Sequence, residues 1–227
     1  MMFKGKFIVL DGTDGAGKTV QLELLRKKLS EQDFNFSVLD FPRYGQKSAG
    51  LVEEYLNGRY GPAEEVGPYR ASIFYAADRY AASFGLKKDL SEGKIVISNR
   101  YVSANMGHQG GKIKDKKERD KYFQWLYDLE YNLFGIPKPD LNIILWMPAG
   151  IAYELVGKKE KRGYLGNKKR DLHEENLEHL KNTEAVFLEM ADNFPGFAVI
   201  KCVDDENNLL EPEKIHQSVW NEVNLIL

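Results

Sequence analysis

A single cysteine, Cys202, stands in a chain of 227 residues, which excludes an intrachain disulfide and any metal site built from several thiolates. Placed near the end of the apolar run FAVIKCV, it is expected in the core. No apolar stretch approaches the roughly 20 residues needed to span a bilayer. The opening MMFKGKFIVL has neither the apolar region nor the cleavage site of a secretory signal. A cytoplasmic protein with no membrane partner is therefore expected. An excess of one charge is also missing: 32 Lys and Arg against 34 Asp and Glu leave a net −2, which argues against a nucleic-acid surface, because such binding rests on cationic counterion release. Internal repeats and low-complexity tracts are absent. With 43% hydrophobic and 29% charged residues the chain is ordinary for a globular protein. Its length suits one complete three-layer core, so residues 1–227 are expected to form a single domain.

What is present is an alternation. Apolar, β-rich runs recur at Phe7–Leu10, Phe36–Phe41, Ile95–Ser98, Leu141–Met147 and Phe197–Val203, and helix-like segments separate them. Strands alternating with helices predict an α/β fold, a doubly wound parallel five-stranded sheet covered on both faces. Ligands of such sheets gather at the carboxyl ends of the strands. The residues that follow the runs are Asp11–Thr19, Pro42–Gly45, Asn99–Tyr101 and Pro148–Gly150, and the first three groups should converge on one cleft.

The first of these groups contains GTDGAGKT, Gly12 to Thr19, with the spacing G-x-x-x-x-G-K-T between a strand and a helix. Glycines at these positions let consecutive backbone N–H groups turn toward a polyphosphate with no Cβ in the way. Lys18 can then reach the β- and γ-phosphates, and the Thr19 hydroxyl can serve Mg²⁺. The helix that starts here also directs its positive end at the anion. Leu22, Leu25 and Leu29 mark its buried face, and turn-forming residues from Ser30 to Asn35 end it.

Two glycine–proline pairs precede a long helical stretch carrying Tyr75, Asp78, Arg79 and Ser83, and Asp171 with Glu174 forms a capping-box pattern before another helix. The mixed-sign run Lys112–Lys121 is expected to be a solvated helix face or loop. Basic residues recur at Arg43, Arg79, Arg100 and in KKEKRGYLGNKKR, Lys158 to Arg170. Several arginines at one cleft suggest a second anionic ligand beside a nucleoside triphosphate, since guanidinium forks grip phosphate oxygens at two points. The cluster has no apolar periodicity and fits a basic flap over about 157–171 that closes on the triphosphate and excludes water.

Taken in order, FIVLDGTDGAGKT, FPRYG, the YAADR helix, SNRYVSANMGHQGG, PKPDLNIIL and RDLHEENLEHL resemble the thymidylate kinases, P-loop nucleoside monophosphate kinases. The resemblance implies phosphorylation of dTMP to dTDP by ATP with Mg²⁺, in a homodimer. It makes Gly12, Asp14, Gly15, Ala16, Gly17, Lys18 and Thr19 the ATP site, with Thr19 and Asp11 toward the metal. Asp14, supported by Asp11, would face the 3′-hydroxyl of the deoxyribose. Arg43 would bridge to the transferred phosphoryl, and Arg100 would bind the monophosphate. Arg79 would hydrogen-bond thymine O4, Tyr75 would stack on the base, and Asn105, with Gln109 nearby, would reach N3. Lys18, Arg43, Arg100 and, from the flap, Arg162 would carry the catalytic charge.

The sequence departs from the family pattern in four places. Asn99 replaces an aspartate before Arg100, Tyr75 replaces a phenylalanine, and His108 stands where a tyrosine often crowds a ribose 2′-hydroxyl. Gly15 replaces an arginine of the phosphate loop, which shifts the basic role to Lys161, Arg162, Lys168, Lys169 and Arg170. Other readings are a deoxynucleoside kinase or another nucleoside monophosphate kinase, a nucleotide-dependent switch, and a nucleotide-binding paralogue without catalysis. Arg43 and Arg100 weigh against a bare nucleoside as acceptor. NKKRD at Asn167 is one residue too long for the guanine-reading pattern of a switch. Intact Lys18, Arg43 and Arg100 weigh against the paralogue.

Overall fold

The computed structural model describes residues 3–158 and 177–227. Five strands, β1 (Lys6–Asp11), β2 (Phe36–Asp40), β3 (Ile95–Asn99), β4 (Leu141–Trp146) and β5 (Phe197–Lys201), form one sheet in the order β2-β3-β1-β4-β5, every pair parallel. All five expected strands are present, most within one residue of their expected starts and ends. The exception is the fifth, which stops at Lys201.

The central strand shows why the sheet is sandwiched. Along β1, Phe7 and Val9 point to one face while Ile8 and Leu10 point to the other, and all four are fully buried. Ile8 and Leu10 pack with Leu22, Leu25 and Leu29 of α1 (Lys18–Glu31) and with Ile215, Val219 and Val223 of α8 (Pro212–Asn224). On the opposite face Phe7 and Val9 meet Leu86 and Leu90 of α3 (Ala63–Ser91), Val102 of α4 (Val102–Gly110) and Tyr122 of α5 (Lys116–Tyr127). Phe187 of α7 (Leu177–Asn193) completes that layer. Helices on both faces explain the continuous apolar strands.

The short helix α2 (Gly50–Leu56) packs with α3 in a third, smaller apolar cluster, and α6 (Ala149–Lys158) follows β4. Pro62 leads directly into α3, and Gly67, at φ 73°, breaks it ahead of Pro68, so α3 is two helices joined at a kink. Asp140 closes the amino end of the sheet, accepting from the Phe7 N–H at 2.8 Å.

The run Lys112–Lys121 differs in part from its expected solvated character. Lys112 is half-buried, its Nζ donating to the Tyr55 hydroxyl at 2.8 Å, and burial lowers its pKa to about 8. The helix α5 begins only at Lys116, capped by Asp115, whose Oδ1 accepts from the Glu118 N–H at 2.9 Å. Beyond it a π-helical turn, Asp128–Leu133, carries Glu130 inward. The Asp171–Glu174 pattern and most of the expected flap, Arg162 included, lie outside the described residues.

Candidate active site

Register brings the carboxyl ends of three strands level: Leu10 on β1 and Asp40 on β2 both pair with Asn99 on β3. Above these ends lies a cavity of about 340 Å³, lined by residues of the loop after β1, the ends of β2 and β3, α3 and α4. This is the expected cleft, and the first three strand-end groups contribute to it as anticipated.

The loop after β1 is shaped by residues that admit no Cβ. At Gly12, φ is 134° and an added Cβ would stand 2.4 Å from the Leu145 carbonyl oxygen; at Gly15, φ is 93° and the clash is with the Ala152 carbonyl oxygen at 2.5 Å. Gly17, at φ 84°, starts α1. Lys18 folds back over this turn, with Nζ donating to the carbonyls of Gly12 at 3.0 Å and Thr13 at 2.8 Å and lying 3.9 Å from Asp14 Oδ1. Asp14, Gly15, Gly17, Lys18 and Thr19 line the cavity. Gly12 and Ala16 do not line it, and contribute backbone shape.

Facing the loop, Arg100 adopts φ 64°, a left-handed conformation for a residue with a side chain. Its N–H is fixed to the Leu10 carbonyl at 2.8 Å, and its guanidinium pairs with Asp14 and donates from Nη1 to His108 Nε2 at 2.8 Å. Burial opposes the Arg100 charge, but Asp14 and Asp11 outweigh it and raise the pKa. His108 moves the other way: burial, helped by Arg100, pushes it well below its usual value, so the imidazole is neutral and accepts from Arg100. Its ring stacks on His179 with centroids 5.8 Å apart.

Deeper in the cavity are Tyr75, Arg79, Asn105 and Gln109. Arg79 is buried, with Nε 3.0 Å from each carboxylate oxygen of Glu130, Nη2 also bonded to Glu130, and Nη1 donating to the Tyr101 carbonyl at 3.3 Å. Asn105 is placed by its neighbours, Nδ2 donating to the Ser72 carbonyl at 3.3 Å and its own carbonyl accepting from the Tyr122 hydroxyl at 3.1 Å. Gln109 Oε1 is buried and accepts no hydrogen bond among the described residues. A carboxamide oxygen held this way suits an imide N–H.

Besides Gly12 and Ala16, two more expected site residues, Asp11 and Arg43, stand outside the lining. Asp11 is fully buried, with Oδ2 accepting from Ser103 Oγ at 2.7 Å and Oδ1 from the Gly12 N–H at 3.1 Å, and burial raises its pKa. That arrangement supports the loop from beneath. Arg43 does not line the cavity either: Asp78 holds its N–H at 2.8 Å and its Nε at 3.0 Å, and Nη2 donates to Ser48 Oγ and the Asp78 carbonyl. Nη1 makes no hydrogen bond among the described residues. Sequence reasoning missed Asp40, which does line the cavity, and Glu130 behind Arg79. Only a buried arginine's need for an acid signals Glu130 in advance.

The thymidylate kinase family model matches residues 10–212, which spans the phosphate loop, the Arg100 turn and every element of the cavity. The chain belongs to the thymidylate kinase family. It is 29% identical to the thymidylate kinase of Mycobacterium tuberculosis over 81% of this chain and 85% of that one. Against a probable thymidylate kinase of Thermococcus gammatolerans it is 28% identical over 95% and 94%. A solved structure of thymidylate kinase from Candida albicans has the same fold, with a TM-score of 0.74 and 19% identity over 97% of this chain and 92% of that one.

For a thymidylate kinase, the departures noted in the sequence have physical causes here. An arginine at position 15 has no room, because the α6 backbone occupies the place of its Cβ. Tyr75 keeps an aromatic ring in the lining and meets Tyr55 edge-on at 6.4 Å. Asn99 Nδ2 donates to Asp40 Oδ1 at 2.8 Å, while its own Oδ1 is buried and unpartnered among the described residues. Oxygen donors in this region fit Mg²⁺, which binds through one or two carboxylates, phosphates and water. Among the described residues no group of three His, Cys, Asp or Glu side chains suited to a metal occurs.

Proposed function

We propose that this chain transfers the γ-phosphoryl of ATP to dTMP, giving ADP and dTDP, as a cytoplasmic homodimer. The observation that carries the reading is a single cavity shared by Lys18 and Thr19 of the phosphate loop, by Arg100, and by the deeper group Arg79, Asn105 and Gln109. Two phosphate-holding groups and a polar, aromatic pocket for a planar base are what a nucleoside monophosphate kinase needs. The bond between the γ-phosphorus and the β,γ-bridging oxygen breaks as a dTMP phosphate oxygen bonds to the same phosphorus. That oxygen is already anionic, so no base has to remove a proton, and catalysis reduces to alignment and charge stabilisation.

The backbone of Gly12–Thr19 and the Lys18 ammonium hold the ATP phosphates. Arg100, kept rigid by Asp14 and neutral His108, holds the monophosphate, and Asp14 faces the sugar. Arg43, oriented by Asp78, retains Nη1 for the transferring phosphoryl, and Arg162 is assigned on sequence alone to complete the charge. Thr19 is the side chain that would hold Mg²⁺, which when bound neutralises phosphate charge. Tyr75 stacks on thymine, Arg79 donates to O4, and Asn105 and Gln109 read the N3 edge.

ADP formation measured with dTMP, UMP, CMP and thymidine as acceptors tests the assignment. Turnover with dTMP well above the others is expected, and equal turnover of the three monophosphates or preference for thymidine refutes it. The dimer rests on exposed apolar side chains along α3: Ile73, Tyr80 and Phe84, the last 63% exposed. Phe84→Glu is expected to give a monomer by light scattering.

A further inference from the structure

The pair Asp40–Asn99 is not accounted for by these roles. Both side chains line the cavity among its cationic groups, at the paired ends of β2 and β3. Asp40 is exposed to the cleft, and Asn99 is 8% exposed and holds Asp40 Oδ1 through Nδ2 at 2.8 Å. The orientation of the Asn99 carboxamide follows from that bond, since turning it over would set two oxygens against each other. It leaves Asn99 Oδ1 buried without a hydrogen-bond partner among the described residues, an arrangement that is unfavourable unless something supplies a donor or a positive charge.

A carboxylate here also poses an electrostatic problem. Arg100 and Lys18 converge on the same cavity to attract phosphate, and a negative charge on Asp40 repels the phosphate they attract. A hydrated divalent cation held by the carboxylate would remove the conflict, and a coordinated water would supply the donor that Asn99 Oδ1 lacks. We infer that Asp40 is the acidic group through which this chain holds a divalent cation beside the acceptor phosphate, with Asn99 as its positioning residue. The acid that the sequence lacks at position 99 is thus supplied from the neighbouring strand, one step across the parallel register.

The inference rests on dTMP being the acceptor, and the test separates the two. Binding of dTMP to the whole chain is measured first by calorimetry without metal. Mn²⁺ binding to the protein–dTMP complex is then followed by the electron paramagnetic resonance signal of free Mn²⁺, for the natural chain, Asp40→Asn, and the double variant Asp40→Asn with Asn99→Asp. Asp40→Asn is expected to bind dTMP at least as tightly without metal, which also shows that it is folded. It is expected to weaken Mn²⁺ at least tenfold, and the double variant, which returns the acid to β3, to recover most of that loss. Mn²⁺ affinity in Asp40→Asn within twofold of the natural chain overturns the role of Asp40 while leaving the kinase reading intact. Failure of the natural chain to bind dTMP at all removes the kinase reading itself.

Discussion

Glu130 illustrates what a single side chain can hide from sequence reasoning. It sits in a six-residue π-helical turn, which has no periodic signature, and yet it is fully buried against Arg79. Arg79 was recognisable as a base-reading candidate only through the family resemblance of the YAADR helix, where it follows Tyr75 by four residues. Its partner comes from 51 residues away, and only the fold joins them. Burial works against the Arg79 charge, and Glu130 more than restores it, so the pKa rises. Removing one member of a buried pair strands the other. Glu130→Ala is therefore expected to cost about 3–5 kcal/mol in urea unfolding. In any folded fraction, KM for dTMP should rise more than kcat falls, because a base contact binds substrate and transition state alike. A stability loss below 1 kcal/mol would contradict this account of the pair.

At the scale of elements, the strands were the most legible part of the chain. Their apolar runs are continuous because both faces are covered, a pattern that needs no partner to be recognised. The phosphate loop was legible for a different reason, since its glycines serve a local backbone path. What spacing does not reveal is that two of those glycines do different work. Gly15 packs its Cα against α6, whereas Gly17 has nothing within 4 Å of where a Cβ would stand. Gly17→Ala is expected to cost roughly 1–2 kcal/mol from its left-handed backbone alone. Gly15→Ala adds overpacking of about 1–3 kcal/mol to a similar backbone term. Chemical denaturation of the two variants checks the order, and Gly17→Ala being the more damaging would refute it. The kink of α3 at Gly67 and the inward turn of Lys112 were less legible, because each depends on what the segment packs against.

Across the whole molecule, the site is assembled from the ends of three neighbouring strands, the start of α1 and two helices, α3 and α4, on the opposite face of the sheet. Sheet logic foresaw that convergence, but not Asp40, whose meaning comes from lying beside Asn99. The same assembly sets a pH dependence. Burial lowers the His179 pKa from 6.5 to about 4, and His108 shifts in the same direction. Between pH 6.5 and about 4 the unfolded chain binds protons at these rings that the folded chain refuses. Stability therefore rises with pH across that window, and it is lost as the pH falls through it. His179→Gln is expected to flatten the slope, by up to ~3 kcal/mol over the window at about 1.4 kcal/mol per pKa unit. Melting temperatures of both proteins from pH 7 to 4 measure it, and parallel curves would exclude His179 as a contributor.

Cys202 offers a different kind of consequence. It is the sole thiol, fully buried, with Sγ 3.8 Å from the Ala16 carbonyl beneath the phosphate loop, and burial raises its pKa to about 12. Thiol reagents attack thiolates that they can reach, and here both conditions fail until the core around that loop opens. The rate of Cys202 modification is thus a built-in chemical clock for that opening. It needs no engineered probe, and a ligand seated on the loop should slow it in proportion to the fraction of chains it occupies.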